Sequence, residues 1–146
     1  MHEKCAFCRI VCCQEPSSIV CEDELAIAFM DLRQFNPGHT LIIPKKHMND
    51  VRDFDSKTGL ALMTMISRVT QAVASLFPNQ GLSLWHSIGE AAFQEVPHLH
   101  VHVQPRLTGD EMLQVYPRNP DTPERSVLDH YADVLRSQLN LRPDSV

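Results

Sequence analysis

The 146-residue sequence predicts an α+β fold, a five-stranded antiparallel sheet with one long helix and a helix near the C-terminus. Short apolar runs bounded by turn residues recur five times, and one long segment carries three- and four-residue apolar spacing. The strands come in a run while the helices stand apart. That order argues against a doubly wound parallel sheet.

In chain order, "SSIVCEDELAIAFMDL" reads as two short strands around a polar turn at Glu22 to Glu24. "NPGHTLIIPKKH" opens on turn chemistry at Asn36, Pro37 and Gly38, then runs as a strand from about His39 to Ile43, stopped by Pro44. From about Ser56 to Phe77, Leu62, Met65, Ile66, Val69, Val73 and Leu76 recur at helical intervals; Asp55 or Ser56 can cap the start, and Pro78 closes the segment. Its methionines need no cofactor, because Met fills core gaps. "GLSLWHSI" and "HLHVHVQP" are two further strands joined by "GEAAFQEV". After "YPRNPDTP", helical spacing returns from Glu124 to about Leu139, with Leu128, Tyr131, Val134, Leu135 and Leu139 on one face. That helix can dock on its own chain or on a partner.

The length suits one domain, residues 1–146, with a sizeable core. A net charge of -5 argues against non-specific nucleic-acid binding, although a local positive cluster can still hold a small anion. No apolar run approaches 18 residues, so no membrane span is expected, and the start "MHEKCAFCRI" lacks a signal-peptide core. Five cysteines, with Cys12 and Cys13 adjacent, suit a reducing compartment, so a cytoplasmic location is expected. Cys12, Cys13 and Cys21 read as small packing residues.

The chemistry concentrates in "PHLHVHVQPR". In an extended strand alternate side chains share a face, which puts His98, His100 and His102 together and Leu99, Val101 and Val103 opposite. Eight histidines placed at random would give this triplet in only about two chains per hundred, so chance is a poor account. Three imidazoles on one exposed face can hold a zinc ion with one position open for water. Alternatively, one can attack phosphorus while its neighbours hold an anionic phosphate.

"CAFC" places Cys5 and Cys8 at the gap that lets two thiolates meet one tetrahedral metal. The same gap serves redox motifs, but no βαβ pattern of the thioredoxin kind follows it. Histidines that can complete a metal site stand at His47 and in the triplet. If one triplet histidine is taken by a structural zinc, a three-histidine catalytic zinc loses a ligand.

Together these segments resemble the histidine triad (HIT) family. "PHLHVHVQ" is similar to its His-x-His-x-His signature, "DLRQFNPGHTLIIPKKH" to its other well-marked segment, and "CAFCRI" to its zinc-bearing N-terminus. The resemblance covers residues 5 to 106, leaving 107–146 as an extension, although "PRLTGD" is similar to the diadenosine-polyphosphate hydrolase branch. It implies a hydrolase or nucleotidyltransferase that cleaves at the α-phosphate of dinucleoside polyphosphates or nucleoside phosphoramidates. His100 would be the nucleophile and form a nucleotidyl-imidazole intermediate. His39 and His102 would stand beside the phosphate, and Gln94 would contact the phosphate or the leaving group. Cys5, Cys8, His47 and His98 would hold a structural Zn²⁺, making an N-terminal zinc-bound turn. Asp31 would bind the ribose hydroxyls, Phe7, Ile10, Phe29 and Leu32 would line the nucleobase slot of a purine nucleotide, and the protein would be a homodimer of two five-stranded sheets.

Departures from the family pattern fall in one loop. Phe93 stands where the family often carries Gly; Ser87, an expected nucleotide-binding position, and Glu95 replace an asparagine and a small hydroxyl residue frequent in the phosphoramidate-hydrolysing branch. A carboxylate at Glu95 would repel phosphate unless it points away or pairs with Arg106. Trp85 and His86 read as packing residues. Two rival functions remain open on the sequence: a zinc-dependent hydrolase using the histidine triplet as its metal site, and a low-turnover nucleotide-binding module that regulates a partner.

Overall fold

Continuous apolar runs become the central strands. In a computed structural model, which describes residues 4–112, 118 and 120–140, β2 (Ala26–Met30) and β3 (Thr40–Pro44) are buried almost throughout. β1 (Ile19–Glu22), β4 (Gly81–Trp85) and β5 (Val101–Arg106) complete a sheet of order β1-β2-β3-β5-β4, with every pair antiparallel. The Asp23 carboxylate accepts the backbone N–H groups of Leu25 and Ala26, which turns β1 into β2.

One face of the sheet is covered by α2 (Ser56–Leu76), whose start is capped when the Asp55 carboxylate accepts the Thr58 N–H at 2.9 Å. Leu62, Met65, Ile66, Val69 and Val73 pack on Ala26, Ala28, Ile42, Leu99 and Val103. Burying those five helix side chains contributes on the order of 10 kcal/mol. Leu76, expected on the same stripe, stands exposed at the last turn. By length and composition alone α2 could cross a membrane, but its buried stripe is the core of a sheet domain.

The opposite face carries Ile27, Phe29, Leu41 and Ile43. On it lies α1 (Ala6–Val11), a six-residue helix that brings Cys5, Phe7 and Cys8 into a second buried cluster. Strand alternation thus separates a structural face under α2 from a face that meets the N-terminus.

Two boundaries differ from the sequence expectation. β3 begins at Thr40, so His39 stands just before the ladder, and β5 begins at Val101, which leaves His98 and His100 outside it. The Leu99 N–H bonds the Met48 carbonyl at 2.6 Å instead of a strand partner. Side-chain alternation nevertheless persists: Leu99, Val101 and Val103 face α2 and the histidines face away. Cys21 packs against the core as expected, whereas Cys13 is exposed with a positive φ of 57°.

The chain divides into two units, Met1–Met112 and Leu113–Val146, six residues beyond the boundary read from sequence. The second contains α3 (Arg125–Asn140), within one residue of its expected start and end. Its Leu128, Tyr131, Val134, Leu135 and Leu139 are exposed. Residues 113–117, 119 and 141–146, including part of "YPRNPDTP", lie outside the described residues.

Candidate active site

The three histidines of the triplet do not share one environment. His98 is wholly buried, and its Nε2 faces the Pro44 carbonyl at 2.9 Å. A carbonyl can only accept, so Nε2 carries the proton and Nδ1 keeps its lone pair. That Nδ1 lies 3.5 Å from the Cys5 sulfur and 3.7 Å from the Cys8 sulfur, and His47 Nδ1 lies 3.3 Å from the Cys8 sulfur. The four donor atoms all fall within 4.8 Å of one another. Zinc bonds of ~2.3 Å to sulfur and ~2.0 Å to nitrogen give a tetrahedral S···N edge of about 3.5 Å, so this donor set fits the ion. The hydrogen bond behind His98 is the kind of support that orients a metal-binding imidazole.

His100 is also buried, against the edge of Phe7 at 5.3 Å between ring centroids. Its Nδ1–H donates to the His98 carbonyl at 2.6 Å, leaving the Nε2 lone pair as the reactive one. Burial lowers its pKa below the ordinary histidine value, with nearby His86 acting in the same direction, while the His98 carbonyl, Asp31 and Glu95 oppose the shift. A neutral ring with a fixed tautomer results.

His102 is half-buried and lies flat against Trp85, 4.2 Å between centroids and 2° between planes. Burial first, then His100, His39, Arg33 and His86, push its pKa down to about 3. The His39 Nδ1–H donates to the Arg33 carbonyl at 2.9 Å, and His39 Nε2 accepts the His102 Nδ1–H, also at 2.9 Å. His102 in turn keeps Nε2 bare. Asp31, His39 and His102 offer donors within 4.8 Å of one another, but His39 Nε2 and His102 Nδ1 face each other in this hydrogen bond rather than a common ion. The whole triplet cannot ligate one metal, because His98 turns into the cysteine pair.

Asp31 is buried just past β2, where its Oδ1 accepts the Arg33 N–H at 2.7 Å and its Oδ2 lies 3.8 Å from His39 Nδ1. Gln34, which sequence reading passed over, braces this loop: its amide donates to the carbonyls of Asp31 and His39 and accepts the N–H groups of Gly38 and His39. Gly38 has a φ of 102°, and a Cβ there would meet the Phe77 ring at 2.6 Å. Glycine is required on both counts.

Phe7, Phe29 and Ile10 come together in the cluster beneath His100, whereas Leu32 is 97% exposed and lies outside that cluster. Gln94 is held by its own loop, accepting the Gly89 N–H and donating to the Asn49 carbonyl, both at 2.8 Å. Its amide is therefore engaged away from the histidines. Ser87 is half-buried just past the end of β4. Glu95 pairs with Arg33 through two hydrogen bonds of 2.9 and 2.8 Å, while Arg106, one of the alternatives the sequence offered for it, pairs with Asp110. Trp85 and His86 also belong to the site: Trp85 stacks on His102, and the His86 Nδ1–H donates to the His100 carbonyl at 2.9 Å.

Fold and site together define a histidine-cluster domain, with the three imidazoles of the triplet divided between a cysteine pair and a stack with Trp85 and His39. The HIT domain family model matches residues 13–109, and the chain belongs to that family. Protein hit of Bacillus subtilis is 36% identical over 83% of this chain and 86% of its own length. Adenosine 5'-monophosphoramidase hnt1 of Schizosaccharomyces pombe is 29% identical over 82% of this chain and 88% of its own. A crystal structure of a HIT family member from Bacillus subtilis superposes with a TM-score of 0.85 at 31% identity, covering 99% of this chain and all of that one.

Proposed function

We propose that this protein hydrolyses nucleotide conjugates by nucleotidyl transfer to His100, cleaving dinucleoside polyphosphates or nucleoside phosphoramidates at the α-phosphate. The observation that carries the reading is the 2.6 Å bond from His100 Nδ1–H to the His98 carbonyl, which leaves Nε2 as a bare, neutral nucleophile. The phosphoramidase named among the relatives supports the substrate class.

In the first step the Nε2 lone pair attacks the α-phosphorus, a P–N bond forms, and the bond to the leaving group breaks with its electron pair. Solvent water supplies the proton that neutralises the departing group, and the His102–His39 pair, whose N–H groups are engaged with each other and with the Arg33 carbonyl, stands beside the phosphate. Water then attacks the same phosphorus, the P–N bond breaks, and the nucleoside monophosphate leaves with His100 restored. The Asp31 carboxylate accepts the ribose hydroxyls. Phe7, Phe29 and Ile10 form an apolar wall and Leu32 a separate exposed contact for a purine base, Ser87 completes the proposed nucleotide contacts, and Gln94 shapes their loop through its bonds to Gly89 and Asn49. Cys5, Cys8, His47 and His98 would hold a structural zinc that pins the segment before β5 to the N-terminus. The active unit would be a homodimer in the cytoplasm.

Rapid quenching with a nucleotide conjugate, followed by intact-mass analysis, tests the intermediate. The expected result is one nucleotidyl adduct that disappears in both His100→Ala and His100→Asn, each of which still binds nucleotide. An unmodified protein peak alongside measurable turnover overturns the covalent path.

A further inference from the structure

The loop departure at Glu95 acquires a function from its partner. Arg33 already belongs to the site through its backbone: its N–H donates to Asp31 and its carbonyl accepts from His39. Its side chain leaves that loop and reaches Glu95, 62 residues away on the segment leading into the triplet, in a two-pronged bridge of 2.9 and 2.8 Å. The bridge therefore spans from the β2–β3 loop to the β4–β5 loop. Arg33 Nε also stands 4.0 Å from the buried Asp31 carboxylate, so the bridge begins beside the site.

Both side chains are exposed, Arg33 at 72% and Glu95 at 64%. Exposed ion pairs add little net stability, so a better ligand can open this one. A phosphate group presents the same forked pair of acceptor oxygens as a carboxylate, with more charge. A neutral amine leaving group presents none.

We propose that Arg33 is a specificity-determining residue for anionic leaving groups, held by Glu95 until phosphates beyond the scissile bond displace that carboxylate. Glu95 is then a competitor for the guanidinium rather than a substrate contact. Polyphosphate conjugates open the bridge and gain Arg33 as a clamp; phosphoramidates with neutral leaving groups react with the bridge closed. In a chain of net charge -5, a guanidinium beside the site is a large local correction to the field an anion meets.

This inference rests on the nucleotidyl-transfer reading and adds a statement about leaving-group charge. The test compares kcat/KM for diadenosine tetraphosphate and for adenosine 5'-phosphoramidate in four proteins: unmodified, Arg33→Gln, Glu95→Gln and the double variant. Arg33→Gln should lower the polyphosphate-to-phosphoramidate ratio by about tenfold or more, chiefly through KM, the scale of a charge-assisted hydrogen bond. Glu95→Gln should raise the ratio, and that gain should vanish in the double variant, because no guanidinium remains to be released. A merely structural bridge would lower both activities together and leave the ratio fixed. An unchanged ratio with turnover intact, or a Glu95→Gln gain that survives loss of Arg33, overturns this inference alone. Failure of the unmodified protein to turn over either substrate overturns the nucleotidyl-transfer reading itself, and this one with it.

Discussion

At His102, desolvation and neighbouring positive or titratable groups act together, and its pKa falls to about 3 from a reference of 6.5. An unfolded chain takes up that proton near pH 6.5, while the folded chain refuses it until about pH 3. The contribution to stability is therefore present above the unfolded value and is lost as pH falls towards the folded one. The urea midpoint of the unmodified protein should drop between pH 6.5 and 5, and His102→Gln should show a smaller drop over the same range. Equal drops in the two proteins would remove His102 as the source. The sequence offered "CAFC" as a competing claim on one histidine of the triplet, and the His98 ring does lie against Cys5 and Cys8. The place of Trp85 was not legible: its stacking on His102 depends on a non-local β4–β5 register that pairs the two residues. The partner of Glu95 was hidden for a related reason, since Arg33 is distant in sequence and reaches it only when two loops meet.

At the scale of elements, periodicity located the five strands, α2 and α3, while hydrogen bonding moved their ends; the six-residue α1, expected as a turn, is too short to show a period. The histidine strand starts three residues after His98 because Leu99 finds its backbone partner at Met48, a loop residue that no alternation pattern announces. The outer strand β4 carries a prediction of its own. It pairs only with β5, its sequence "GLSLW" holds no charge or proline, and Leu84 on it is 45% exposed. Unprotected edges of this kind invite pairing with another chain. Two copies meeting along β4 would join their sheets into the homodimer proposed above. Analytical ultracentrifugation at micromolar concentration should give twice the chain mass, and Leu84→Lys should shift the equilibrium towards monomer. Monomer mass for the unmodified protein across that range would exclude this edge as the interface.

For the first unit as a whole, the cysteine and histidine donors matter because of where they sit in the chain. Cys5 and Cys8 belong to the N-terminal turn, His47 follows β3, and His98 precedes β5, so one ion would tie segments up to 93 residues apart. Closing such long loops restricts the unfolded chain, and a zinc bound only by the folded state adds its binding energy to stability. The same ion would reach the chemistry indirectly, since the residue that ligates through its ring also holds His100 through its carbonyl. Metal analysis should find one zinc per chain, and a strong chelator should lower the melting temperature by roughly 10 °C or more. Cys8→Ser should produce a comparable loss without chelator. Because the four donors stand behind the nucleophile, activity should fall in step with unfolding and should survive in the fraction still folded. A catalytic zinc would behave differently, with activity collapsing on chelation while the melting curve stayed in place. Protein purified in zinc-containing buffer that carries no zinc, and whose melting temperature ignores chelator, would leave the four donors as a buried thiol and imidazole cluster without an ion.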